Sequence, residues 1–350
     1  MRLAWILLLL LTAPAHAFQA EEWLGKAPLW VTAVEPCRTF WLAAVILDQG
    51  HDAAVTAPLV PLALKLEDLR ELEFDHWVPF EVRTPAGVRA VYQAELDKEY
   101  PDEEAFRDQR ILQHLALVPR EKFAIKPFML DLMEENIAGA YDPRTDVFFV
   151  VRQPARGWGK LAAALKDPDQ EASVILHEFQ HALQNQHFGL LQHQKKLQKI
   201  AESDRTLAYQ SLVEGDATVV MFDYLFLRQQ GTTTLDMTVS FTTLGEWTMA
   251  LSFLNGKRFR EAPLYFQRSL IMPYLAGADF VTHVRREGGW EAVNALYDDP
   301  PVSTEQILHP ERYLYGDEPV PVTLRVPERM GSWKQLREDV GGEFLVRIFL

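Results

Sequence analysis

Cysteine is nearly absent: the 350-residue chain has one, Cys37, so no internal disulfide can form and the fold must rely on its core. No apolar run approaches the roughly 20 residues that span a bilayer, since the longest, residues 3–11, is about half that length. A surplus of positive charge is lacking as well. With 49 acidic against 35 basic residues, interspersed and summing to −14, the composition argues against nucleic-acid binding. Low-complexity tracts and internal repeats are missing too, and 48% hydrophobic content is that of an ordinary globular protein.

The short apolar run has another use. Arg2, the leucine-rich stretch behind it and Ala15-His16-Ala17 form the charged start, apolar core and small-x-small cleavage site of a signal peptide. Export to the periplasm or the extracellular space is expected, with residues 1–17 removed and no membrane span in the mature chain. Residues 18–64 read as an N-terminal subdomain or a pro-segment. Cys37 reads as a packing residue rather than a metal ligand. Residues 65–190 read as an α/β lobe, with a strand at 78–83 and helices near 87–100, 103–117 and 120–134. Residues 191–350 read as a mainly helical lobe.

The most informative segment is His177-Glu178-Phe179-Gln180-His181. Asp167-Pro168 before it is an N-cap with proline at the first helical position, Gln170 stands three residues after the cap, and Gly189 can close the far end. Ala172, Val174, Ile175, Leu176, Phe179, Ala182 and Leu183 make this helix apolar on most sides. Helical spacing of four sets both imidazoles on one face, one turn apart, where they can share one metal ion. Glu178 then projects beside the open coordination position, as a general base requires. The bland alternative is a pair of core histidines with a surface glutamate.

A third ligand is needed, and Glu214 is the best candidate. It lies on a second helical run from Ser203-Asp204 to Arg228, ahead of Gly231, on a face shared by Leu207, Gln210, Ser211, Thr218 and Met221. Gly215 inside that helix costs about 1 kcal/mol against alanine, so close helix packing or metal approach is expected there. Asp216 reads as a solvated carboxylate, with a hydrogen bond to a ligating imidazole as the alternative. Upstream, 137–141 and 146–151 read as a hairpin around the turn Asp142-Pro143-Arg144-Thr145.

HExxH followed by Glu214-Gly215-Asp216-Ala217 is similar to the gluzincin clan of zinc metallopeptidases, which includes thermolysin-like and aminopeptidase-N-like enzymes. The resemblance implies Zn2+ held by His177, His181 and Glu214, with Glu178 as general base. Residues 186–204 then look like an insertion. It also implies an α+β, zincin-like fold: a small upper sheet whose edge hairpin lies next to the HExxH helix, and a mostly helical C-terminal lobe. Ala138-Gly139-Ala140-Tyr141 resembles the edge strand that holds substrate backbone in the clan. Clan members stabilise the oxyanion with a Tyr or His beyond the glutamate, and Tyr274, in Tyr-x-x-Gly, and His309 are the candidates. The order of these motifs, through to Ser303-Thr304-Glu305-Gln306-Ile307-Leu308-His309-Pro310, also resembles a group of secreted bacterial proteins with gluzincin-like sites. The expected function is an exported zinc metallopeptidase acting on peptide or protein substrates, an endopeptidase favoured slightly over an aminopeptidase. The alternatives are a zinc-stabilised binding or scaffolding protein without turnover, and a metal-dependent hydrolase of a non-peptide bond.

Overall fold

Helix α1 (Val60–Arg70) opens the part of the chain seen in the computed structural model, which describes residues 59–136, 139–151, 168–200, 202–245, 257–322, 325, 335 and 337–350. The signal-peptide run, Cys37, Ile137, Ala138 and Asp167 lie outside these. The expected boundary after residue 64 falls within α1, most of whose residues are buried.

Strand β1 (Phe80–Arg83) is followed by α2 (Pro85–Glu99), α3 (Asp102–His114) and α4 (Ile125–Asn136). Helix α2 begins at a proline behind Thr84, whose hydroxyl accepts a hydrogen bond from Gly87 N, a standard N-cap. The hairpin follows as β2 (Gly139–Asp142) and β3 (Val147–Val151), with the Thr145 N–H closing the turn on the Asp142 carbonyl. β3 is Val-Phe-Phe-Val-Val and nearly all buried, as suits the central strand of a sheet ordered β1-β3-β2. β1 runs parallel to β3 and β2 antiparallel to it, which leaves β2 as an edge.

The remaining elements are helical: α5 (Pro168–Phe188), α6 (Leu190–Ile200), α7 (Ser203–Gln229), α8 (Phe241–Gly245), α9 (Lys257–Arg260), α10 (Leu264–Ala295), α11 (Thr304–Leu308), α12 (Pro310–Leu314) and α13 (Glu343–Phe349). The protein is therefore α+β and mostly helical around a three-stranded sheet. Helix α5 ends where Gly189 takes φ 64° and donates to the Asn185 carbonyl, as its sequence requires. Residues 186–204 contain α6. The start of α7 differs from expectation. Ser203 and Asp204 do not cap it; Asp204 instead accepts hydrogen bonds from the backbone N–H and hydroxyl of Thr304, tying α7 to α11. Among the described residues no helix is long and apolar enough to cross a membrane.

One core joins α1, α5, α7 and α10 to the sheet, with Leu66, Phe148, Leu176, Phe179, Leu212, Val220 and Phe280 fully enclosed. Helix α7 is its axis. It is buried without a break from Ala208 to Val220, and among the described residues it packs more extensively on α10 than any other pair of helices does. A Cβ on Gly215 would lie 2.2 Å from the Gly277 carbonyl carbon, and one on Gly277 would lie 2.0 Å from the Ser211 carbonyl oxygen. Real Cβ atoms do not approach backbone so closely, so glycine at both positions is what lets the two helices touch.

Candidate metal centre

The glycine contact sets α10, which carries Tyr274, against α7, which carries Glu214. Glu214 precedes Gly215 on α7, Tyr274 stands one turn before Gly277 on α10, and α5 packs on α7 with His177 and His181 facing Glu214. His177, His181 and Glu214 form the cluster of potential metal ligands among the described residues. Their nearest atoms make a nearly equilateral triangle. His177 Nε2 lies 3.2 Å from Glu214 Oε2 and 3.2 Å from His181 Nε2, and the third side, His181 Nε2 to Glu214 Oε2, is 3.5 Å. Ligands about 2.0–2.1 Å from a tetrahedral ion stand about 3.3 Å apart, so the triangle has the size of one tetrahedral face.

The electrostatics agree. Glu214 is 4% exposed and Glu178 1% exposed, so two carboxylates share an enclosed space. Burial pushes the Glu214 carboxyl up, but the His181 charge and hydrogen bonds from both rings outweigh it and hold it at about 2. Burial pulls His181 down, yet Glu214 and Glu178 push it up to about 9. The site therefore recruits a proton where its charge calls for a cation. Two imidazoles and one carboxylate, enclosed and converging, could hold a metal ion.

Glu178 sits in the turn between the histidines, and its Oε2 accepts the Tyr141 backbone N–H at 3.0 Å. The outer edge of β2 thus faces α5. Burial raises the Glu178 carboxyl above the ordinary carboxylate range, with the two histidines opposing and Glu214 reinforcing. Tyr274 is 2% exposed and stacks on His177, rings 5.7 Å apart and 20° from parallel. Burial, then the charges of Glu214 and Glu178, lift its phenol well above 10, so it keeps its proton at neutral pH.

His309 is not brought to this cluster. It is the junction between α11 and α12, its Nε2 meets Glu343 Oε1 at 3.0 Å, and more than a third of the side chain faces solvent. Asp216, expected to be solvated, is fully buried. Its carboxylate accepts from Arg70 Nε at 2.9 Å, Gln180 Nε2 at 2.9 Å, Gln184 Nε2 at 3.1 Å and the Tyr297 hydroxyl at 2.8 Å. Arg70, Gln180, Gln184 and Tyr297 escape the sequence reading. The one signal there was Gln180 and Gln184 at i, i+4, since amides on one face cannot be buried without partners. Across family models, curated proteins and solved structures, no significant match to this chain is found.

Proposed function

We propose that the protein is an exported zinc metallopeptidase of gluzincin type. The observation that carries the reading is the triangle of His177 Nε2, His181 Nε2 and Glu214 Oε2, with Glu178 beside it. Two histidines and one glutamate are a protein donor set found at catalytic zinc. A zinc ion bound by these three residues supplies a Lewis acid that makes water nucleophilic near neutral pH.

The chain's own residues do the rest. Glu178, raised by burial, takes the proton of the attacking water and returns it to the leaving amine. The β2 edge aligns the substrate backbone by strand addition. Tyr274 donates its O–H to the oxyanion of the tetrahedral intermediate, a role its protonated state and its place over His177 support. The signal-peptide pattern at residues 1–17 supports export, and the resemblance to secreted bacterial proteins supports the same compartment.

The near-complete burial of Glu178, Glu214 and Tyr274 favours a second reading, a zinc-stabilised scaffold without turnover. One comparison separates them. Purified mature chain should carry about one zinc and cleave a peptide library, Glu178→Gln should keep the zinc but lose about 10²–10⁴-fold in rate, and His181→Ala should lose the metal. Zinc-loaded wild type that cleaves nothing in the library would leave the scaffold reading in place.

A further inference from the structure

Gln184 lies one turn beyond His181 on α5, fully buried. An amide oxygen and nitrogen are hard to tell apart from shape alone, but here the surroundings decide. One end of the amide faces the Val213 carbonyl at 2.9 Å and the Asp216 carboxylate at 3.1 Å, and both of these only accept. That end must be the NH2 group, with both hydrogens used. The other end is the oxygen, which lies 2.9 Å from His181 Nδ1. An oxygen there requires a hydrogen on Nδ1. A neutral His181 therefore carries its proton on Nδ1, and its lone pair on Nε2 points at Glu214 and His177.

Asp216 in turn holds Gln184. It is a full buried charge balanced by Arg70, whose side chain is equally enclosed and lies 4.2 Å above the Trp290 ring. Gln180 and Tyr297 complete its shell, so Asp216 has no direct contact with either imidazole among its hydrogen bonds. The charge acts through the amide. Carboxylates behind ligating histidines commonly fix ring and tautomer. In this chain a glutamine is interposed, which orients the ring without placing another negative charge beside a site that already holds two.

The geometry points to Gln184, locked by the Asp216–Arg70 pair, as the positioning residue that presents His181 Nε2 to the metal. This rests on the reading that His177, His181 and Glu214 bind zinc. The test is zinc affinity by chelator competition, together with nitrogen-15 spectra of histidine-labelled, zinc-loaded protein. Wild type should bind zinc and show an exchange-protected Nδ1–H for His181. Gln184→Met should fold, lose that resonance and bind zinc about ten- to a hundredfold more weakly. Should it fail to fold, Gln184→Asn, which keeps an amide one methylene short of the ring, makes the same comparison. Asp204→Asn weakens a buried contact at the distant start of α7, and controls for general destabilisation by leaving zinc affinity and the resonance unchanged. Equal affinity and an intact resonance in Gln184→Met, or an equal loss of affinity in Asp204→Asn, would overturn the positioning role alone. Wild type that takes up no zinc would overturn the metal reading and this role with it.

Discussion

Glu214 and Asp216 stand two residues apart on one helix, both acidic and both enclosed, yet they sit in opposite chemical surroundings. Asp216 meets a guanidinium, two amides and a phenol, all of which give it hydrogens. Its charge and its lone pairs are satisfied by the protein itself. Glu214 meets two ring nitrogens at 3.2 and 3.5 Å that, in the neutral Nδ1–H tautomer, offer lone pairs instead. Three acceptors converging on one point leave a place for a cation, whereas one acceptor ringed by donors leaves none. Which partners surround a buried carboxylate, rather than its burial, separates a candidate ligand from a structural charge.

The contrast breaks most visibly at Arg70. Replacing it with methionine keeps the volume but strands the Asp216 charge in the core, and removal of one partner of a buried pair costs about 3–5 kcal/mol. Urea unfolding of the metal-free Arg70→Met protein should show that loss. The double variant Arg70→Met/Asp216→Leu, with both charges gone, should recover much of it. A single variant as stable as wild type would mean that Asp216 does not depend on Arg70.

A second pair sharpens the boundary of the site. Tyr274 is stacked on His177, whereas His309 is engaged by Glu343 at the surface, although both looked equally suited to an oxyanion role. Tyr274→Phe should lower kcat by about 10²–10³-fold at unchanged zinc content. His309→Gln should leave kcat at the wild-type value. Peptide hydrolysis by the two variants under zinc saturation checks both, and the reverse order would move the oxyanion donor to His309.

Local signals carried well where the chemistry is local. Pro168 and Gly189 mark the ends of α5, and His177, Glu178 and His181 share it by simple helical spacing. The hairpin also follows from its own residues, with Pro143 in the turn and alternating or continuous apolar strands beside it. Contacts distant in sequence were not legible. Arg70 and Asp216 lie 146 positions apart, and nothing near either residue specifies the other. Asp204 has the composition of an N-cap but is claimed by Thr304, a tertiary demand that overrides a local preference. His309 was a candidate only through the clan's use of a Tyr or His beyond the glutamate, and α13 engages it instead through Glu343.

Gly215 is the case in which a local cost announced a distant contact, and its partner gives the mildest of these tests. A glycine within a helix is unfavourable unless something needs the missing side chain, and Gly277 answers from 62 positions away. In Gly277→Ala the new methyl group would press on the Ser211 carbonyl, a backbone atom that cannot rotate aside. Helix α10 must then lift from α7, at the roughly 1–3 kcal/mol typical of overpacking, partly offset by the helix propensity of alanine. Both histidines lie on α5 and Glu214 on α7, so the ligand triangle can survive while Tyr274 retreats with α10. Thermal unfolding should report a modest loss of stability, chelator competition near-wild-type zinc affinity, and peptide hydrolysis a fall in kcat. Zinc affinity falling in step with kcat would instead show that the helix crossing supports the ligands and the tyrosine alike.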